Sequence, residues 1–135
     1  MSAVDTRVQV QTVHPDEPAF ADWYDVVEQA RRAEWPDEPG EQLQELRALA
    51  RAGLRPDATE RVETLVAVEG GEVVGAARLD LPTRDNTGLA GLEHFAVRPD
   101  RRRRGIGTAL LEAVDARARE LGRRELLVEV EQPAG

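Results

Sequence analysis

Residues 101–108, RRRRGIGT, set four consecutive guanidiniums against two glycines where a helical pattern begins. Such a turn can hold an anion. The first amides of a helix have no intrahelical acceptor and lie at the positive end of its dipole. Glycines let a phosphate approach the backbone, and the planar guanidinium fork matches phosphate oxygens. A few residues upstream, LEHFAV holds two proton acceptors, Glu93 and His94, inside an apolar run. Strict alternation puts Leu92, His94 and Ala96 on one face of a strand, and Glu93, Phe95 and Val97 on the other. On that pattern the two acceptors face opposite ways, His94 has a packing or surface role, and His14 belongs to a loop.

The arginine run suits a nucleotide-binding loop or a nucleic-acid face less well. A dinucleotide fingerprint needs GxGxxG directly after its strand, whereas only Gly105 and Gly107 match and Pro99 plus five further residues intervene. A Walker loop needs a lysine, and all 18 basic residues here are arginine. Nucleic acid is disfavoured by a formal net charge of -8 and an aromatic content of 4%. A solvated helix edge would account for the charges and leave the glycines without a reason.

The flanking elements follow from periodicity. Residues 7–13 alternate at period two, as a half-buried strand does. Phe20, Trp23, Tyr24 and Val27 fall at i, i+3, i+4 and i+7 of a helix that Pro36 closes. Residues 41–52 read as a second helix stopping at Gly53. Residues 64–69 and 72–81 are strands joined at Gly70-Gly71, a tight hairpin. A turn-rich loop over 82–88 leads to a strand over 89–98. From Gly105 a helix carries Ile106, Leu110, Ala113, Val114 and Leu121 as its apolar stripe, with Gly122 as its C-terminal glycine. Residues 125–131 are a last strand, parallel to the one before the helix because a crossover joins them. The order β-α-α-β-β-β-α-β implies an α/β fold with a mixed sheet, in a single domain of 135 residues.

Cysteine is absent, which excludes disulfides, thiolate metal sites and a cysteine nucleophile and fits a reducing cytoplasm. No window approaches the roughly 18 apolar residues of a membrane span. The expectation is a cytoplasmic protein with no metal and neither membrane nor nucleic acid as a partner. The sequence ends in QPAG, which reads as the start of a linker after an interior-looking strand, so the domain is expected to be incomplete at its C-terminus.

The run VRPDRRRRGIGTALL resembles the acetyl-CoA signature of the GNAT superfamily of N-acetyltransferases, Q/R-x-x-G-x-G/A, with Arg102, Gly105 and Gly107 at its three fixed positions. The flanking strand and helix, and the element order from Arg7 to Glu131, are similar to that fold. The resemblance implies that acetyl-CoA is the co-substrate. It implies that the backbone of Arg103, Arg104, Gly105, Ile106, Gly107 and Thr108 cradles the pyrophosphate, and that Phe95, Ala96 and Val97 pair with the pantetheine arm beside residues 126–130. It also implies Glu93 as the base that deprotonates the acceptor, a primary amine of a small molecule or peptide, for direct acetyl transfer. Residues 35–38, residues 84–87 and the surroundings of Glu93 would choose that amine, and Asp37, Glu38 and Asp80 are acids that favour a cation. The family's helix and strands after the last strand are lacking here, and with them the usual tyrosine acid. The alternative is therefore a non-catalytic, cofactor-binding or regulatory half of a tandem protein, with a homodimer or a second downstream domain as its partner.

Overall fold

The computed structural model describes residues 8–128. Arg7, the expected strand end at 129–131 and the QPAG segment lie outside them. The elements are β1 (Val8–Val13), α1 (Ala19–Glu34), α2 (Leu43–Ala52), β2 (Glu60–Glu69), β3 (Glu72–Pro82), β4 (Leu89–Val97), α3 (Ile106–Glu120) and β5 (Glu125–Val128). They build one sheet in the order β1-β2-β3-β4-β5, antiparallel except for the parallel β4–β5 pair that α3 connects. This is the mixed sheet expected from the element order.

Helices cover both faces because the strands bury both. On one side α3 sets Ile106, Leu110, Val114 and Ala118 against Leu65, Ala67, Leu79 and Leu92. On the other, α1 and α2 set Phe20, Trp23, Val26, Leu46 and Ala50 against Val62, Val66 and Ala76. Trp23 is the largest fully buried side chain; it stacks on Phe20 at 5.0 Å and donates its indole N–H to the Ala77 carbonyl at 3.0 Å. Tyr24 and Val27, on the expected stripe of α1, pack only at the margin of this core.

Gly70 and Gly71 close the β2–β3 hairpin with φ of 60° and 81°, values that an L side chain adopts only with strain. β2 begins at Glu60, four residues before the sequence expectation, because the charged stretch ERVE conceals an inward alternation. Val62 enters the core, and Glu63 is buried on the α3 side, where both of its oxygens accept from Arg117 at 2.8 and 3.1 Å. Burial alone would raise the Glu63 pKa, but the Arg117 and Arg61 guanidiniums overcome it and hold the carboxyl below its usual range. A carboxylate depressed in this way stabilises the fold above its unfolded-state pKa, and that stability is lost as pH falls through the lower folded value. Arg117→Met should cost about 2 kcal/mol at neutral pH, below the usual range for breaking a buried pair because Arg61 remains. Urea unfolding at pH 7 and again at pH 3 measures it, with the difference between the two proteins shrinking at the acidic pH.

Candidate functional site

The geometry of the site starts with a slip in the β3–β4 ladder. Leu79 pairs with Leu92 and Arg78 with Glu93, whereas Ala76 pairs with Ala96 and Gly75 with Val97. His94 and Phe95 thus both stand opposite Ala77, a β-bulge, and His94 takes a left-handed φ of 53°. One extra residue reverses the facing of everything beyond it. Leu92 and Val97 both lie on the α3 side, whereas Glu93 lies with Arg78, and Ala96 with Ala76, on the α1 side. The alternation expected from sequence is therefore corrected: Glu93 and His94 do not point to opposite faces.

Both residues line a cavity of about 530 Å³ with Val27, Ala30, Arg31, Glu34 and Trp35 of the α1 end. His94 packs edge-on against Trp23 at 5.8 Å and holds Nε2 3.4 Å from the Glu41 carboxylate. Burial first, and then the Arg78 guanidinium, pull its pKa below the ordinary histidine value, with Glu41 and Asp80 opposing. Arg78 grips Asp80 through two hydrogen bonds of 2.8 and 3.0 Å.

A second cavity, of about 360 Å³, shares Val27, Arg31, Trp35 and His94 with the first and adds Glu28, Glu38 and Glu41. Its floor is a pair the sequence did not reveal. Glu28 is buried on α1 and accepts from Arg31, which also donates to the Trp35 and Glu38 carbonyls and so folds the following loop back over the helix. A Cβ on Gly40 would fall 2.5 Å from Glu28 Oε2, so any larger residue there would have to push the Glu28–Arg31 side chains aside. Of the acceptor-selecting residues expected from sequence, Trp35 and Glu38 border these cavities and residues 84–87 do not. Asp37 does not border them either, and Asp80 is held by Arg78. Tyr24 donates its hydroxyl to the Glu41 carbonyl.

The glycine turn opens a third cavity, of about 300 Å³, bordered by Glu34, Phe95, Ala96, Val97, Arg101, Arg102, Arg103, Ile106 and Gly107. It meets the first cavity at Glu34, Phe95 and Ala96. Arg103 and Gly105 both have positive φ, 68° and 79°, and this curl presents the first turn of α3. The first intrahelical bond runs from the Ala109 N–H to the Gly105 carbonyl, so the amides of Ile106, Gly107 and Thr108 precede the ladder. Ile106 contributes backbone alone, because its side chain is core. Arg104, Gly105 and Thr108 are exposed and lie outside the cavity lining.

The guanidiniums of the run differ from one another. Arg101 is tied to Glu69 and Glu72 of the β2–β3 hairpin. Arg102 pairs with Glu34 at 3.3 Å, and Arg104 reaches Glu69 at 3.8 Å. Among the described residues Arg103 has no acidic partner within ion-pair distance.

Gly107 tests whether the turn suits a cofactor. A Cβ there would stand 3.7 Å from Val97 Cγ2 and 4.0 Å from Phe95 Cε1, ordinary contacts that the fold would tolerate. Among the described residues, no neighbour requires glycine at this position. The residue leaves open a space between the helix amides and β4 that a Cβ would fill. On the β5 side, the ladder within the described residues runs from Leu89 to Leu92, and Phe95, Ala96 and Val97 lie beyond it.

The sequence model of the Acetyltransferase (GNAT) family matches residues 20–134. The chain belongs to this family. Among GNAT relatives, a mycothiol acetyltransferase of Thermomonospora curvata is 37% identical over an alignment of 91 residues, with 58% of this chain and 30% of that protein covered. A tandem GNAT protein from the clavulanic acid biosynthesis pathway superimposes with a TM-score of 0.73 at 27% identity, over 92% of this chain and 37% of the other. A GNAT family acetyltransferase from Brucella melitensis in complex with acetyl-CoA shares the fold, with a TM-score of 0.66 at 24% identity over 93% and 77% of the two chains. This GNAT chain thus spans about a third of the first two proteins. Among its described residues, no helix is long and apolar enough to cross a membrane, and no three His, Asp or Glu side chains gather as a metal site would need.

Proposed function

We propose that the chain transfers the acetyl group of acetyl-CoA directly to a primary amine of a small molecule or peptide. The observation that supports this most is the adjacency of the two cavities, which share Glu34, Phe95 and Ala96 as lining and so set the helix amides at Gly107 next to the groove that holds Glu93 and His94. Acetyl-CoA would supply an activated acyl carbon, and the remaining functions fall to the protein. The amides of residues 103–108, with Arg103 at the rim, hold the pyrophosphate. The backbone of Phe95, Ala96 and Val97 guides the pantetheine arm, and an amide in this stretch donates to the carbonyl oxygen as charge develops there. Glu93 holds the acceptor's ammonium in the groove and draws off its proton, directly or through a water. The carboxylates of Glu34, Glu38 and Glu41 favour a cationic acceptor.

Calorimetry with acetyl-CoA tests the first half. Heat of binding and a raised melting temperature are expected, and neither at millimolar cofactor would overturn the reading. Glu93→Gln tests the second half. It should leave binding of acetyl-CoA intact and lower the transfer rate about a hundredfold, most at low pH, where an unassisted amine stays protonated. Superimposable pH-rate curves for the two proteins would remove Glu93 from the mechanism.

A second reading rests on the extent of the chain. It spans about a third of a tandem relative, and a half that binds the cofactor without turnover would have the same fold. Binding without transfer, in the same two assays, distinguishes it.

A further inference from the structure

We propose that His94 and Glu41 form the outlet through which the acceptor's proton leaves the groove, an inference that rests on the amine-transferase reading above. A carboxylate base enclosed beside an acyl donor must be emptied at every turnover. Glu93 stands between the strand and α1, and the residue after it is the wall that the two neighbouring cavities have in common. The bulge is what places it there. Without the left-handed turn at His94, the imidazole would alternate away from Glu93 into the α3 core.

The imidazole has the contacts a relay needs. Its side chain is 19% exposed, whereas that of Glu41, against its Nε2, is 59% exposed and open to bulk water. Trp23 fixes the ring edge-on from beneath. A hydrogen on Nε2 directed at Glu41 leaves Nδ1 as the acceptor, and a proton taken there creates an imidazolium beside a carboxylate. The charged groups around it are Arg78 and Asp80 from β3, Glu38 and Glu41 from the segment between α1 and α2, Glu93 from its own strand, and Glu28, Arg31 and Glu34 from α1 across the two cavities. Burial and Arg78 disfavour the imidazolium, and Glu41 and Asp80 favour it, so a proton taken by the ring is passed on rather than retained.

The protons balance as follows. The acceptor ammonium loses one proton by way of Glu93 to the imidazole. The freed nitrogen lone pair forms the C–N bond, and the C–S bond breaks with its electron pair on sulfur. The second proton, shed by nitrogen as the amide forms, neutralises the thiolate. The imidazolium returns its proton through Glu41 to water, and histidine is neutral again.

The test uses the full chain, acetyl-CoA and putrescine as the probe amine. His94→Ala should slow transfer about tenfold or more, and added free imidazole should restore part of the rate. A side chain that only supports the fold would show no such rescue. Proton NMR provides a readout independent of turnover, because the chain has two histidines and His94→Ala identifies the resonance. Glu41→Gln should lower the His94 pKa further and make the transfer rate depend on buffer concentration. Since Glu41 is exposed, that variant carries the test if His94→Ala does not fold. An unchanged His94 titration in Glu41→Gln, or wild-type rates in both variants, would overturn the outlet and leave the transferase intact. A wild-type protein that binds acetyl-CoA and moves no acetyl group would overturn both.

Discussion

Trp23→Ala should lower the unfolding free energy by about 3–5 kcal/mol, the cost of a large cavity in a packed core. Three contacts make this position sensitive. The indole stacks on Phe20, abuts His94 and donates to the Ala77 carbonyl, which lies opposite the bulge where the ladder slips. Trp23→Phe keeps most of the apolar area but leaves that carbonyl without its donor, so about 1–3 kcal/mol is expected from this loss alone. Urea denaturation of both variants measures the two terms. The bulge should feel the change as well, through the chemical shift of the His94 ring in the phenylalanine variant. A loss below about 1 kcal/mol for the alanine variant would mean that α1 is not seated on the sheet as described.

The second large effect is expected at Gly107. An aspartate there sets a carboxylate against the place assigned to the pyrophosphate and should weaken acetyl-CoA binding at least about tenfold, or 1.4 kcal/mol. Gly107→Ala separates the ligand from the fold. Its methyl group meets Val97 and Phe95 at ordinary distances, and alanine is favoured over glycine within a helix by about 1 kcal/mol. The alanine variant should therefore be as stable as wild type, or more so, while binding the cofactor less tightly. Calorimetry and thermal unfolding on the same preparations report both quantities. Unchanged affinity in the aspartate variant would show that the turn is not the cradle.

What the sequence disclosed, and what it did not, follows from the range of the interactions involved. The hairpin at Gly70-Gly71, the C-terminal Gly122 at φ 81° and the helix after Gly105 rest on local backbone preferences, and each formed where expected. The order from β2 to β5 follows from short connections and one crossover, whereas β1 joins β2 only after the two helices between them. The bulge had a signal that alternation overrode: Glu93 and His94 are adjacent polar residues followed by three apolar ones, a pattern that strict alternation does not explain and that one extra residue in the ladder does. The Glu28–Arg31–Gly40 fold-back was concealed in another way. An i,i+3 ion pair looks like surface ornament until the loop it captures is placed over it. Glu60–Glu63 looked too charged for a strand, and the burial of Glu63 is made tolerable by its neighbour Arg61 together with Arg117, 54 residues away in the chain.

The ion pairs along the arginine run make the glycine turn nearly self-neutralised. Arg102 holds Glu34 at the end of α1, while Arg101 and Arg104 hold Glu69 and Glu72 at the far end of the β2–β3 hairpin. Three of the four guanidiniums thus already carry resident counter-ions, and Arg103 is the one left to meet an incoming anion. The three carboxylates belong to three different elements, α1, β2 and β3, so the charge of the run also ties the glycine turn to the end of α1 and to the hairpin tip.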